Sequence, residues 1–353
     1  MRVDDGLTYE GWTYQDSRVH MLTVDLTKRE LRPVMDKQAF PFNGGHPQTK
    51  AVEQGAVVVG PGGFNITLFH GFGIQDQPQH ALVVDGEIWT TGLGAGGYGV
   101  LIGPDGVSIG RNQVQIHVWR ADGTSFEVDH VNRGHEGEVV AFTPRGGTNE
   151  YPRFRGKRFY QLRAPISGLA PTTWTVADVQ DVPPRVWPRT MVLEATYDLG
   201  LSTGDIVRWK QDLGGDGVRH IISGWPQVLR DGENILDEYE MDPVASHGPD
   251  AWMIRRNPRT AIGSSDDGKT AYLICVEGRL PNEYRKDAEK SRGLRLKALA
   301  ETALKHDVAN LVNMDGGGSA FQWTREGPVT WGCYNTSGTI EGQRRAHFSA
   351  SVF

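Results

Sequence analysis

Residues 259–276, which read RTAIGSSDDGKTAYLICV, decide the fold of this chain. The segment consists of two apolar runs on either side of Asp266-Asp267-Gly268. Asp and Gly tolerate the positive φ angles of tight turns, so the pattern predicts two antiparallel strands joined by a hairpin turn. Arg259 enters the first strand and Glu277-Gly278-Arg279 follow the second. We therefore expect these residues at the same end of one hairpin.

The rest of the chain repeats this pattern of short apolar runs bounded by turn residues. Four further Asp-Gly pairs predict hairpin turns, and they are Asp85-Gly86, Asp105-Gly106, Asp122-Gly123 and Asp231-Gly232. With 45 Gly and 19 Pro in 353 residues, the chain has many turns and therefore many short strands. The sequence predicts an α+β fold that is rich in β-strands, with mixed or antiparallel sheets and few helices.

One segment, residues 294–306, has the periodicity of an amphipathic helix. Its apolar stripe is formed by Leu296, Leu299, Ala300, Ala303 and Leu304. No break in composition divides the chain, so we expect a single domain over residues 1–353. Residues 1–17 are predicted to be an N-terminal extension, and the highly charged stretch within 281–293 a loop or lid.

Composition excludes several classes of protein. No run of eighteen apolar residues is present, so we expect no membrane span. A formal net charge of −6 without a basic cluster argues against a nucleic-acid partner. The start, Met1 to Asp5, is acidic and polar, so we expect no signal peptide and a cytoplasmic or phage-encoded protein. The two cysteines, Cys275 and Cys333, are expected to be unpaired, as in a reducing compartment.

The most specific motif is Asp315-Gly316-Gly317-Gly318-Ser319, directly after a predicted strand over 308–314. Glycines lack a Cβ, so their backbone N–H groups can approach an anion closely and form a nest for it. Asp315 adds a carboxylate and Ser319 a hydroxyl donor. No Lys follows, which excludes a Walker phosphate loop. A flexible turn between two strands is the simpler interpretation of the same residues.

Arg259, which follows Asn257-Pro258, has the forked guanidinium that binds phosphate or carboxylate, although a surface Arg on an edge strand would look the same. No group of His, Cys, Asp and Glu has the spacing of metal ligands. The sequence thus indicates no cofactor and no metal site, and a divalent metal stays open.

The order of these motifs resembles the phosphodiester glycosidase family, which has bacterial and phage members. The motifs are Gly62-Gly63-Phe64, Val131-Asn132-Arg133, Thr143-Pro144-Arg145, Gly204-Asp205-Ile206-Val207, Pro258 to Gly263, Gly278-Arg279 and Asn313 to Ser319. The resemblance runs from about residue 18 to the C-terminus and is most specific over 257–320. It implies a hydrolase that cleaves the glycosidic bond of a sugar-1-phosphodiester, such as an N-acetylglucosamine-1-phosphodiester, to free sugar and a phosphomonoester.

The resemblance also implies roles for particular residues. Asp315 is expected to be the base or nucleophile, Glu277 the second carboxylate and Arg259 a catalytic phosphate ligand. The predicted substrate-binding residues are Arg279, Thr260, Gly316, Gly317, Gly318, Ser319, Asn65, Asn132, Arg344 and His70.

The chain departs from the family's pattern in two places where substrate would bind. The family's Asn-Gly-Gly-Phe-Phe loop is here Pro61-Gly62-Gly63-Phe64-Asn65, and the family's Asp-Gly-Arg or Asp-Gly-Gln is here Glu277-Gly278-Arg279. Two other interpretations stay open: a hydrolase of nucleotide sugars or another phosphodiester on the same scaffold, and a non-catalytic glycan-binding or phage structural module. The sugar, the aglycone, the stereochemical course and the oligomeric state are not predicted.

Overall fold

The structure is a computed structural model that describes residues 2–35, 50–51, 53–61, 65–66, 77–92, 97–133, 137–146, 158–164, 172–239, 253–278, 291–316, 323–324 and 348–353. Its strands in the first half of the chain are β1 (Arg2–Asp4), β2 (Leu7–Tyr14), β3 (Ser17–Asp25), β4 (Leu31–Met35), β5 (Val58–Pro61), β6 (Asn65–Ile66), β7 (Gln77–Pro78), β8 (His80–Val84), β9 (Glu87–Gly92), β10 (Tyr98–Gly103), β11 (Gly106–Arg111), β12 (Gln115–Trp119), β13 (Ser125–Glu127), β14 (His130–Val131), β15 (Val139–Phe142) and β16 (Arg158–Arg163). The remaining strands and the α-helix are β17 (Thr173–Gln180), β18 (Thr190–Ala195), β19 (Ile206–Asp212), β20 (His220–Gly224), β21 (Gln227–Arg230), β22 (Glu233–Asn234), β23 (Arg259–Ser264), β24 (Thr270–Val276), helix α1 (Leu296–Leu304), β25 (Asn310–Asn313), β26 (Trp323–Thr324) and β27 (Phe348–Val352). Two short 3-10 helices lie at Pro144–Gly146 and Leu236–Glu238.

An eight-stranded sheet, here called the first sheet, contains the predicted hairpin. Its strand order is β1-β2-β3-β24-β23-β25-β21-β22, and every neighbouring pair is antiparallel. β23 and β24 pair from Arg259 opposite Val276 to Ser264 opposite Ala271, with the turn at the predicted position. Residues 2–14 of the predicted N-terminal extension form β1 and β2, so they belong to this sheet.

Three more sheets of four strands or more and a two-stranded ribbon complete the described architecture. A second eight-stranded sheet has the order β13-β12-β19-β17-β16-β18-β15-β14, with a parallel pair at β14 and β15. A five-stranded sheet has the order β11-β10-β20-β8-β9, and a four-stranded sheet the order β26-β5-β27-β4. The predicted β-rich fold with mixed and antiparallel sheets and few helices is confirmed.

The sheets are stacked in layers because alternate residues of each strand face opposite sides. One apolar cluster joins Leu22 and Ile262 of the first sheet to Val100 of the five-stranded sheet. A second cluster joins the other face of the five-stranded sheet, including Leu101, to Val118 of the second eight-stranded sheet. The five-stranded sheet is therefore buried on both faces, between the two larger sheets.

Helix α1 covers the outer face of the first sheet. Its side chains pack with Val19, Ala261 and Ile274 in a third cluster. The helix is shorter than the predicted 294–306, because Leu294 pairs in a β-bridge with Asn257 before the helix begins. The predicted stripe is buried at its first four positions, whereas Leu304 is exposed.

The structure overturns the expectation about one of the two cysteines. Cys275 is disulfide-bonded, so the expectation that the cysteines are unpaired is wrong for this residue. The sequence signal was weak there, because the spacing of two cysteines does not reveal whether a fold brings them together. In the described part of the chain, every helix lacks the length and apolar character that a membrane crossing requires.

Candidate active site

Three neighbouring strands of the first sheet place the strongest predicted motifs at one edge. β23 begins with Arg259 and runs antiparallel to both β24 and β25, so the ends of β24 and β25 lie beside its start. Glu277 directly follows β24, and Asp315 follows β25 by two residues. The backbone N–H of Met314 donates to the Thr260 carbonyl at 2.8 Å. The Thr260 hydroxyl donates to the Asp315 carbonyl.

Glycines let these segments approach one another more closely than other residues would allow. A Cβ on Gly316 would lie 2.8 Å from the Pro258 carbonyl oxygen and 3.4 Å from Cα of Arg259. A Cβ on Gly278 would lie 2.8 Å from both Cα and N of Gly293. Real Cβ atoms essentially never come this close to backbone. The Asp-Gly bend and the start of β23 therefore form one closely packed junction.

Glu277 is held through both its backbone and its carboxylate. Its backbone N–H donates to the Arg18 carbonyl at 3.0 Å, and its carbonyl accepts the Ser291 hydroxyl at 2.6 Å. Its carboxylate Oε1 lies 2.8 Å from Nε2 of His20. The other ring nitrogen of His20, Nδ1, lies 2.8 Å from the hydroxyl of Tyr9. A buried chain of hydrogen bonds thus links β2, β3 and the end of β24.

The hydrogen bonds among Tyr9, His20 and Glu277 fit the following arrangement of protons. A neutral imidazole has one donor and one acceptor nitrogen. If His20 donates from Nε2 to the Glu277 carboxylate, its Nδ1 accepts the proton of the Tyr9 hydroxyl. Burial, followed by the negative charge of Glu277, raises the pKa of Tyr9 to about 12, so this hydroxyl keeps its proton at neutral pH.

Arg259 faces the interior of the protein. Its residue is 0% exposed, its Nε donates to the Leu294 carbonyl at 3.1 Å, and its Nη2 donates to the Arg255 carbonyl at 2.9 Å. Consecutive strand residues point to opposite faces, so this side chain lies on the helix side of the sheet, away from the Thr260 hydroxyl. These contacts tie the segments before β23 and α1 together. They give no support to the predicted role in phosphate binding.

Asn132 also makes contacts within the protein. Its amide nitrogen donates to the Trp89 carbonyl and to the Thr143 hydroxyl, both at 2.8 Å, and its amide oxygen accepts the Thr143 N–H at 2.8 Å. Both amide hydrogens are engaged, so the structure supports a structural role for this predicted substrate ligand. Asn65 begins β6, opposite Pro78 of β7.

Several predicted site residues lie outside the described part of the chain. They are Arg279, Gly317, Gly318, Ser319, Arg344 and His70, together with residues 281–290 of the predicted lid. Their predicted roles stay predictions. Within the described residues, no group of three or more His, Cys, Asp and Glu side chains could hold a metal ion.

Sequence reasoning missed His20 and Tyr9. Both lie in strands that look purely structural, and His20 is 257 residues from the carboxylate that it contacts. The only local signal is a polar residue within the buried run of β3. Its meaning becomes visible when β3 pairs with β24, which places His20 opposite Cys275, two residues before Glu277.

Comparison with known families is informative for the second half of the chain. Residues 185–348 match the model of the phosphodiester glycosidase family. The resemblance to that family is confirmed over these residues. The matched region contains the β23–β24 hairpin, both predicted carboxylates and the glycine motif. No curated protein matches the sequence.

Solved structures share the fold at low sequence identity. A hypothetical protein from Synechocystis matches with a TM-score of 0.72 and 15% identity over 99% of this chain. A protein from Burkholderia pseudomallei K96243 matches with a TM-score of 0.67 and 18% identity, covering 96% of this chain and 74% of that one. This chain spans 62% of the length of the Synechocystis protein.

A zebrafish protein is the third structure. It is the catalytic domain of N-acetylglucosamine-1-phosphodiester alpha-N-acetylglucosaminidase, auto-inhibited by its pro-peptide. It has 16% identity and a TM-score of 0.41 over 98% of this chain and 80% of that one.

Proposed function

We propose that this protein is a hydrolase which cleaves the glycosidic bond of a sugar-1-phosphodiester, releasing free sugar and a phosphomonoester. One observation carries the proposal. The region that matches the phosphodiester glycosidase family contains Glu277 and Asp315, and the antiparallel register of β24, β23 and β25 brings these two residues to one edge of the first sheet.

The proposed reaction makes modest chemical demands on this edge. A phosphomonoester is a good leaving group, so a strong general acid matters less than in ordinary glycosidases. A carboxylate must activate water or stabilise the positive charge that develops at the anomeric carbon. We assign that role to Asp315, which is partly exposed, and the role of second carboxylate to Glu277. His20 binds Oε1 of Glu277, so Oε2 is the oxygen that could face a ligand.

The phosphate requires donors that reach a ligand. We assign Arg279, the backbone N–H groups of residues 316–318 and the Ser319 hydroxyl to it, because oriented backbone amides and guanidinium groups suit phosphate. The buried contacts of Arg259 favour a bracing role for that residue behind the site.

The direct test measures products and compares two isosteric variants. The substrate is an N-acetylglucosamine-1-phosphodiester, and chromatography quantifies free sugar and phosphomonoester. We expect Asp315→Asn to lower kcat by at least about 100-fold, the usual contribution of a general acid or base. Asp266→Asn makes the same change at an exposed position in the turn at the other end of the hairpin, and should retain full activity.

Three results would contradict the proposal. Near-normal turnover by Asp315→Asn would remove this residue from the chemistry. Release of a nucleotide from a nucleotide sugar, without cleavage of the sugar phosphodiester, would indicate a different hydrolase on the same scaffold. Tight glycan binding without any product would indicate a binding module.

A further inference from the structure

Tyr9 reaches His20 along a path that depends on one glycine. β2 and β3 pair so that Gly11 lies directly opposite His20, and Tyr9 lies two residues before Gly11 on the same face. The Tyr9 ring extends over Gly11 towards the imidazole, and the two ring centroids are 6.1 Å apart. A Cβ on Gly11 would lie within 3.0 Å of the Tyr9 hydroxyl oxygen and 3.1 Å from Cζ. A side chain at residue 11 would therefore displace the Tyr9 hydroxyl from its position beside the imidazole.

The chain of three polar groups is buried. Tyr9 is 8% exposed, His20 7% and Glu277 6%. Replacing buried charged or polar groups by well-packed apolar residues of similar volume is often neutral or stabilising, so stability alone does not account for this network and a further purpose is expected. Here the purpose can be read from the geometry, since the chain ends on a carboxylate at the edge of the sheet that also holds Asp315.

We propose that Tyr9 and His20 are positioning residues for Glu277: the Tyr9 hydroxyl fixes the ring orientation of His20 by its bond to Nδ1, and His20 fixes the Glu277 carboxylate for reaction by its bond from Nε2. This inference rests on the proposed function, because it assigns Glu277 to the reacting site. It makes the N-terminal strand β2 part of the catalytic apparatus, although β2 lies in the predicted N-terminal extension and outside the region that matches the family. Hydrogen bonds of this kind, made to a group that contacts substrate, fix its orientation and charge.

The experiment uses a substitution that removes no polar group. Gly11→Ala adds one methyl group, which displaces the Tyr9 hydroxyl from His20. Gly11 is itself exposed, and alanine is favoured over glycine in a strand by reduced backbone entropy, so the fold should be retained. Tyr9→Phe removes the same hydrogen bond by deleting the hydroxyl. Gly110→Ala is the matched control, because a Cβ there meets nothing within 4 Å.

Kinetic constants for the sugar phosphodiester are measured for these variants in the full chain. Loss of one neutral hydrogen bond lowers kcat about two- to tenfold when that bond stabilises the transition state. We expect this decrease in Gly11→Ala and in Tyr9→Phe, with KM within about twofold of wild type. The double variant should be no slower than either single variant, because both changes break the same bond. His20→Leu removes the bond to the carboxylate and should cost about 10- to 100-fold in kcat.

The outcomes separate this inference from the proposed function. Failure of the wild-type protein to cleave the diester would overturn the proposed function, and the positioning role with it. Wild-type turnover with unchanged kcat in Gly11→Ala and Tyr9→Phe would overturn the positioning role alone. Additive losses in the double variant would show that the two changes act independently, so that Gly11→Ala does not act through the Tyr9 hydroxyl. A ¹⁵N spectrum of the His20 imidazole provides a readout without substrate: the proton should reside on Nε2 in wild type, and this signal should change in Gly11→Ala but not in Gly110→Ala.

Discussion

Replacing Arg259 by methionine tests whether this arginine braces the fold or binds a ligand. The side chain is fully buried, and two of its nitrogens donate to the carbonyls of Leu294 and Arg255. Methionine has a similar length and an apolar end, so it fills the space but leaves both carbonyls without these donors. The change therefore removes the hydrogen bonds with little loss of packing.

The expected cost follows from these contacts. A hydrogen bond from a charged group contributes about 1.5–3 kcal/mol, and two such bonds are lost. The two bonds together contribute about 3–6 kcal/mol, and methionine regains part of this energy through its apolar contacts, so we expect the free energy of unfolding to fall by about 2–5 kcal/mol. Since domains are typically stable by about 5–15 kcal/mol, this is a large fraction of the total.

Urea unfolding followed by tryptophan fluorescence measures the change, and Arg208→Met is the control. Arg208 lies on strand β19 with an exposed side chain, where substitutions usually change stability by less than about 0.5 kcal/mol. The reasoning would be refuted if Arg259→Met unfolded at the wild-type urea concentration while losing its affinity for a phosphate ligand. That result would place the guanidinium in the binding site.

Three further changes test other parts of the structure. Gly316→Ala places a Cβ 2.8 Å from the Pro258 carbonyl oxygen and should cost about 1–3 kcal/mol in urea unfolding, with Gly110→Ala unchanged. Burial, followed by the positive charge of Arg133, lowers the pKa of His80 from 6.5 to about 4. Between these pH values the unfolded chain binds a proton at His80 more readily than the folded protein does. The free energy of unfolding therefore falls as the pH drops from 6.5 towards 4. At about 1.4 kcal/mol per pKa unit, protonation of His80 alone can lower the free energy of unfolding by about 3 kcal/mol. The His80→Gln variant should therefore lose less stability than wild type between pH 7 and pH 4.5. An equal loss in both proteins would show that His80 does not cause the pH dependence. Glu277→Gln should lower kcat by about 100-fold or more while unfolding at a urea concentration close to that of wild type, and unchanged turnover would exclude its catalytic role.

Local features of the fold could be predicted because their causes are local. The hairpin of β23 and β24 follows from the alternation of apolar residues around Asp266-Asp267-Gly268, and its register places Arg259 opposite Val276 as the turn requires. The approach of Asp315 to the same edge is not local in this sense, because it needs β25 beside β23, and β24 and helix α1 separate these two strands in the sequence.

Features that depend on distant pairing could not be predicted. The contact of His20 with Glu277 needs β3 beside β24, and nothing in either segment specifies that partner. The burial of Arg259 depends on which face of β23 the helix covers, and a shift of one residue would reverse it. The disulfide of Cys275 likewise depends on a spatial neighbour that spacing in the sequence does not reveal.

The central claim is that water attacks the anomeric carbon and not phosphorus, and hydrolysis in water enriched in ¹⁸O tests it directly. Attack at carbon breaks the bond between the sugar and the bridging oxygen, so this oxygen stays with the phosphate and the new oxygen enters the sugar. The account predicts ¹⁸O in the C1 hydroxyl of the released sugar, detected by mass spectrometry before the label exchanges, and unlabelled phosphomonoester. Label in the phosphomonoester would contradict it.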